Sequence, residues 1–198
     1  MQTIAEHNLS KAIWLVRHAQ PVIATGICYG QLDVAADKIA TEHAALQLAQ
    51  SLKSSDPFSS PRLIMVSELQ RAQQLAYALQ AHLPHLSIQV DARLNEMDFG
   101  KWEGVAWDAI PQLEYDHWIA DFANYRFGGK ESCEEMIQRV RACYLESQAR
   151  QNHELLWICH AGVIRALQFY LQNNSTHIQQ AQDWPKNSIA FGEFIRLA

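Results

Sequence analysis

The chain has 198 residues, a formal net charge of −5, 48% apolar residues and 19% charged residues. That length suits one good core and is short for two, and the composition is that of an ordinary globular protein. An acidic balance argues against broad binding to nucleic acid or to anionic membranes, which call for a basic surface. In chain order, Ala12–Val16 is a short apolar run that reads as a buried strand, followed by a loop through Gly26 and Gly30. Residues 37–53 carry Ala40, Ala44, Leu48 and Leu52 at helical spacing. Asp56–Pro61 is a turn or loop, Leu63–Val66 a second buried strand, and residues 69–82 a helix with Ser67 as its expected N-cap. Ser87–Val90 is a third strand, Glu131–Arg150 a long helix, Leu155–Cys159 a strand, 162–171 a helix, and Ser188–Ile195 a closing strand.

The stretch from Gly100 to Lys130 breaks this alternation. It places Trp102, Trp107 and Trp118 among Asp, Glu and Gly residues, with Pro111 inside, and reads as a lid-like insertion of short helices. Two roles are open for its tryptophans: packing a substrate ring, or filling the core under the insertion. Alternating strands and helices predict an α/β fold, a three-layer α/β/α sandwich around a mostly parallel sheet, formed by one domain over residues 1–198. The four cysteines, Cys28, Cys133, Cys143 and Cys159, form no CxxC pair, which argues against zinc and a disulfide framework and fits a reducing cytosol. Met1–His7 lacks a basic start followed by a long apolar stretch, so no signal peptide is expected. No apolar run reaches the length of a membrane span. A cytoplasmic protein is expected.

Several strand ends carry polar chemistry. Arg17-His18 follows the first strand, Ser67-Glu68-Leu69-Gln70-Arg71 the second, Leu94–Gly100 the third, and His160-Ala161-Gly162 the strand ending at Cys159. Ligands of open α/β sheets bind at the carboxyl ends of strands. Taken singly, Arg71 reads as a surface helix residue, Glu96 as a solvated loop carboxylate and His160 as a structural histidine. Converging on one rim, two Arg, two His and a Glu supply an anion clamp, a nucleophile and an acid.

These stretches resemble the histidine phosphatase superfamily, with its phosphoglycerate mutase-like fold. The matching segments are Leu15-Val16-Arg17-His18, Ser67–Ala72, Asn95–Gly104 and Cys159–Gly162, in the family's order and spread over most of the chain. Cys28–Asp33 also looks like the family's loop beside the substrate, and Glu96–Gly104 is similar to small bacterial phosphatases of the α-ribazole phosphatase-like group. The resemblance implies a metal-independent, cofactor-free phosphomonoesterase acting on a small phosphorylated metabolite, with α-ribazole 5'-phosphate as one candidate. Arg17 and Arg71 would clamp the phosphate, and neutral His18 would attack phosphorus to give a phosphohistidine. His160 would donate to a non-bridging oxygen. Glu96 would protonate the leaving oxygen and then activate water. Gln20, Tyr29, Gly30, Gln31, Trp102, Phe127 and Ala161 are expected substrate contacts. The oligomeric state stays open, a homodimer being one alternative.

The chain also departs from the family pattern: Ala19, Pro21 and Ala24 stand where a glycine and two polar pocket residues are usual. Gln20 is the expected substitute donor. Three rival readings compete. Cys159–Arg165 has the spacing of a cysteine-dependent phosphatase loop. A phosphoglycerate mutase must shield its phosphohistidine from water, and an end at Ala198, directly after the last strand, argues for hydrolysis instead. A non-catalytic phosphate-binding module would explain the altered loop but not the retained Arg, His and Glu residues.

Overall fold

The structure is a computed structural model that describes residues 11–56, 60–150, 153–187 and 189–197. The segment Met1–His7, residues 57–59 of the expected loop and Ser188 of the expected last strand lie outside the described residues. Five strands, β1 (Ile13–Arg17), β2 (Leu63–Val66), β3 (Ser87–Val90), β4 (Leu155–Cys159) and β5 (Phe194–Leu197), form one sheet in the order β3-β2-β4-β1-β5. The first four run parallel, and β5 pairs antiparallel with β1 at the edge.

Side chains alternate across the strands, so the apolar runs of β1, β2 and β4 must be covered on both faces. On one face Ile13, Leu15, Leu155, Trp157 and Cys159 pack against α4 (Cys133–Arg150) and α5 (Ala161–Asn173). On the other, Trp14, Val16, Ile64, Val66, Leu156 and Ile158 pack against α1 (Lys38–Lys53) and α2 (Gln70–His82). The result is the three-layer α/β/α arrangement with a mostly parallel central sheet that the residue pattern predicts.

Three boundaries differ from expectation. Ser67 does not cap α2: the helix begins at Gln70, whose N–H donates to Asp33 Oδ1 at 2.7 Å. The Ser67 hydroxyl is committed instead to Asn95 and His160, two residues of the rim. The long helix α4 starts at Cys133 because Ser132 and Glu135 form a capping box. The Ser132 N–H donates to Glu135 Oε2 at 2.9 Å, and the Glu135 N–H donates to Ser132 Oγ at 3.3 Å. The closing strand begins only at Phe194, because the chain turns at Gly192, where φ is +77°. The Gly192 N–H donates to the carbonyls of Arg17 and His18, which ties this turn to the end of β1.

The irregular segment after β3 holds short 3-10 turns at Gly100–Trp102, Trp107–Ala109 and Phe127–Gly129, and one helix, α3 (Gln112–Ala120). Its center is Phe127, completely buried. Trp118 stacks on it at 4.5 Å, Tyr115 lies at 5.4 Å, and Trp107 and Phe99 both lie at 6.2 Å. Gly128 has φ +80°, and a Cβ there would stand 1.8 Å from the Phe99 carbonyl oxygen, so no other residue fits. Truncating Phe127 to Ala is expected to destabilise the protein by about 3–5 kcal/mol. Urea unfolding followed by tryptophan fluorescence measures this, and a loss well below 1 kcal/mol would contradict the central place of this ring.

Candidate active site

The register of the parallel strands assembles the rim. Arg17 at the end of β1 lies opposite Cys159 at the end of β4, and Val66 at the end of β2 lies opposite Ile158. The next residues are therefore neighbours: the His18 N–H donates to the Cys159 carbonyl at 3.1 Å, and the Ser67 N–H donates to the Ile158 carbonyl at 3.3 Å. The His18 and His160 rings stand 5.0 Å apart. His18 Nδ1 is 2.7 Å from the Ala19 carbonyl. A carbonyl only accepts, so Nδ1 carries the hydrogen and Nε2 keeps its lone pair. His18 is 2% exposed, and its pKa is lowered from 6.5 to about 3, first by burial and then by the charges of Arg71 and Arg17.

Arg71 is fully buried. Its Nη1 donates to the Leu32 carbonyl at 2.9 Å and its Nη2 to the Gly30 carbonyl at 2.6 Å. The Arg17 guanidinium lies 3.7 Å from the ring center of Phe191, and its Nη1 donates to the Ile189 carbonyl. Burial lowers the pKa of both guanidinium groups from their ordinary value. Among the described residues, Arg17 Nε, Arg71 Nε, Arg165 Nε and His160 Nδ1 are buried without a hydrogen-bond partner. Buried polar groups are normally paired. Three orphaned guanidinium donors, on residues whose charges act on one another or on His160, mark a place for an anion.

Around His160 the hydrogen bonds fix the tautomer. Asn95 Oδ1 accepts from the Glu68 N–H at 2.9 Å and from the Ser67 hydroxyl at 2.8 Å. Ser67 has then spent its only hydrogen, so at 2.9 Å it accepts from His160 Nε2. The His160 pKa is pushed well below its ordinary value, mainly by burial and further by His18 and Arg71.

Glu96 is held by two backbone donors. The Met97 N–H reaches Oε1 and the Gly162 N–H reaches Oε2, each at 3.1 Å. Gly162 is required here, because a Cβ would stand 2.2 Å from Glu96 Oε1. The loop Tyr29–Leu32 is held by Glu103, whose carboxylate accepts the N–H groups of Gly30, Gln31, Leu32 and Phe99 at 2.8–3.0 Å.

A cavity of about 440 Å³ opens at this rim. Arg17, His18, Tyr29, Glu96 and Ala161 line it, with Arg71 and His160 buried beside His18. The other expected contacts lie elsewhere. Gln20 is exposed, and among the described residues it is its backbone carbonyl that is engaged, accepting from the Asp37 N–H. Gly30 and Gln31 support the site from outside the cavity wall: the Gly30 carbonyl receives Arg71, and Gln31 Nε2 donates to the Glu96 carbonyl at 2.8 Å. Phe127 is the center of the aromatic cluster, and Trp102 packs against it with Lys101 over its ring, so neither reaches the cavity. Trp107 and Trp118 do line it, together with Phe99, Phe122, Trp184 and Arg165. Trp107 and Trp118 are among the tryptophans for which the sequence leaves a substrate-packing role open, and Arg165 also had a readable signal, since it stands four residues after Ala161 on α5 and shares its helix face. Cys159 is not poised as a nucleophile: it is fully buried toward α4 and α5, and burial drives its thiol pKa far above the ordinary value.

A parallel α/β sheet whose strand ends gather a neutral imidazole and buried guanidinium groups defines an enzyme of the anion-handling kind. The chain belongs to the histidine phosphatase superfamily, branch 1, whose family pattern matches residues 13–189. It is 28% identical over 163 residues to "Putative phosphoserine phosphatase 2" of Hydrogenobacter thermophilus, covering 79% of this chain and 76% of that one. It is 27% identical over 169 residues to the fructose-2,6-bisphosphatase of Saccharomyces cerevisiae, covering 82% of this chain and only 34% of the yeast protein. A mycobacterial glucosyl-3-phosphoglycerate phosphatase has the same fold, with a TM-score of 0.75 at 24% identity over 94% of this chain and 89% of that one. So does YhfR of Bacillus stearothermophilus, with a TM-score of 0.76 at 19% identity over 93% and 89%.

The geometry around His18 sets a pH dependence. The unfolded chain protonates this histidine near 6.5, whereas the folded protein does so only near 3. Between those values the unfolded state binds more protons, so this contribution to stability is present above pH 6.5 and is lost as the pH falls toward 3. Carbon-bound ring protons of His18 followed by NMR are expected to show no titration between pH 8 and 5. A midpoint near 6.5 in the folded protein would contradict the burial and field described here.

Proposed function

We propose that this protein is a phosphomonoesterase that transfers the phosphoryl group of its substrate to His18 Nε2 and then to water. The observation that carries this reading is the set of orphaned donors and the neutral, correctly tautomeric imidazole on one rim. A phosphate monoester carries nearly two negative charges at neutral pH. Arg17 and Arg71 have their Nε groups free for its oxygens, while Arg17 Nη1 and both Nη groups of Arg71 are tied to backbone carbonyls and hold the guanidinium groups in place.

In-line attack by Nε2 forms the N–P bond and expels the alcohol oxygen, which takes a proton from Glu96. Water then attacks the phosphohistidine, gives its proton to Glu96 and releases inorganic phosphate. His160 contributes through Nδ1. Its Nε2–H is committed to Ser67, so Nδ1 becomes a donor only when the ring takes up a proton, which the negative charge of a bound phosphate favours. No step is routed through a metal ion, because the two guanidinium groups supply the positive charge.

A mutase reading requires the phosphohistidine to await a second acceptor in a dry site. A cavity open at the rim favours water as the acceptor. The substrates printed in the names of the relatives, phosphoserine, fructose 2,6-bisphosphate and glucosyl-3-phosphoglycerate, differ among themselves, so family membership alone assigns none of them here.

His18→Ala is expected to lower kcat by about 10⁴-fold or more on any phosphate ester the protein turns over, and a chelator is expected to leave the rate unchanged. Retention of turnover in His18→Ala, or its loss with a chelator, would contradict the scheme. Gly162→Ala displaces Glu96 and separates the acid from the nucleophile. Alkyl phosphates, which need a proton on the leaving oxygen, are expected to slow by about 10²–10³-fold. p-Nitrophenyl phosphate, whose alcohol leaves unprotonated, is expected to slow far less. Equal losses on both esters would argue against Glu96 as the acid.

A further inference from the structure

The part of the cavity that would receive the alcohol is aromatic. Phe99, Trp107, Trp118, Phe122 and Trp184 line it, with Met136 beside them. Their rings support one another: Trp118 stacks on Phe122 at 5.5 Å, Phe122 meets Trp184 edge-on at 6.1 Å, and Phe99 meets Trp107 edge-on at 5.3 Å. The charged, hydroxyl and imidazole side chains on the wall are Arg17, His18, Tyr29, Glu96 and Arg165, and the indole N–H of Trp118 is buried there without a hydrogen-bond partner. The first two and Glu96 are taken by the phosphoryl group and the leaving oxygen. Among the described residues, the wall has no Ser, Thr, Asn, Gln, Asp or Lys side chain.

We infer that the substrate is the phosphate ester of an aromatic alcohol, with one or two fused rings lying against the tryptophan wall. The inference rests on the phosphomonoesterase reading and deepens it. A sugar or polyol placed in this cavity would bring several hydroxyl groups to a wall where Tyr29, Arg165 and indole N–H groups are what is left to meet them, with no further hydroxyl, amide or carboxylate among the described residues. Each hydroxyl left unpaired forfeits roughly tenfold in affinity. A flat ring loses nothing by leaving water, and it gains edge and face contacts with the wall. The cavity size fits such a ligand, since sites for small molecules span roughly 300–1,000 Å³. This places the specificity of the chain apart from the hydroxyl-rich or amino-acid esters in the names of its relatives.

The test compares primary alkyl esters, so that the leaving group is matched and the ratio reports only the alcohol. The purified full chain is assayed with 2-(1-naphthyl)ethyl phosphate, glycerol 3-phosphate, glucose 6-phosphate and phosphoserine. The aromatic ester is expected to exceed each of the others by about 100-fold or more in kcat/KM. Trp184→Ala is expected to reduce that ratio about tenfold, and Trp184→Phe to restore most of it, which a general loss of folding would not do. Equal or higher kcat/KM for any of the hydroxyl-rich esters, or for phosphoserine, overturns the inference. Should no ester be hydrolysed, quenching of tryptophan fluorescence by 2-(1-naphthyl)ethyl phosphate, and not by glucose 6-phosphate, still upholds the aromatic site while the catalytic reading falls. Absence of both turnover and quenching sinks the inference.

Discussion

A guanidinium group with no solvent exposure and no carboxylate bound to it governs this structure. Arg71 is that group. Removing such an ion from water costs several kcal/mol, and two backbone carbonyls offset only part of it. The orphaned Nε keeps a strong demand for a negative partner. Burial first, and then this same charge together with that of Arg17, holds the His18 imidazole uncharged. In the proposed reaction, one arrangement thus serves both the attraction for a phosphate dianion and the free lone pair that would attack it.

Among the described residues no carboxylate is hydrogen-bonded to Arg17 or Arg71, although Glu96 acts on both at longer range, and two hydrogen-bond hubs hold their surroundings rigid. Glu103 gathers four backbone N–H groups and shapes the loop whose carbonyls receive Arg71. Ser67 and Asn95 link the ends of β2 and β4 and set the orientation of His160. The Ser67–Asn95 hub sits where β2 and β4 end side by side, so the register of the sheet transmits directly into the spacing of the reactive groups. On the other side of the cavity, the Phe127 cluster fixes Trp107 and Trp118 as a wall. Positive charge lies on one side of the cavity and aromatic faces on the other, which the proposed reaction would use for the phosphoryl group and the alcohol.

Much of this was legible in the sequence, for definite reasons. Apolar runs four or five residues long ended in Arg17-His18, Ser67 and His160, and in a parallel sheet such ends must converge. The helix starts were less legible. Ser67 has the right residue type for a cap, but its hydroxyl is drawn to Asn95 and His160 by tertiary contacts that local pattern does not contain. The sequence pattern places the start of α4 at Glu131, ahead of the capping box that Ser132 and Glu135 form in the structure. The contacts around the phosphate were read too broadly. Gly30 and Gln31 matter through a backbone carbonyl and an amide that brace Arg71 and Glu96 from behind. Counting aromatic residues could not say that Phe127 faces inward while Trp107 and Trp118 reach the cavity, since no regular period governs an irregular segment. Trp184 reaches the same wall from 64 residues beyond Ala120 in the chain, a tertiary approach with no local signature.

The account stands on phosphoryl transfer to one nitrogen. Its most direct measurement is rapid quenching of the protein during turnover of a phosphate ester, in alkali to preserve an acid-labile adduct, followed by peptide mapping by mass spectrometry. A phosphoryl group on the imidazole of residue 18 that forms and decays at the rate of turnover is the predicted result. A phosphoryl group on Cys159, or steady turnover with no covalent adduct at any point in the time course, would contradict it.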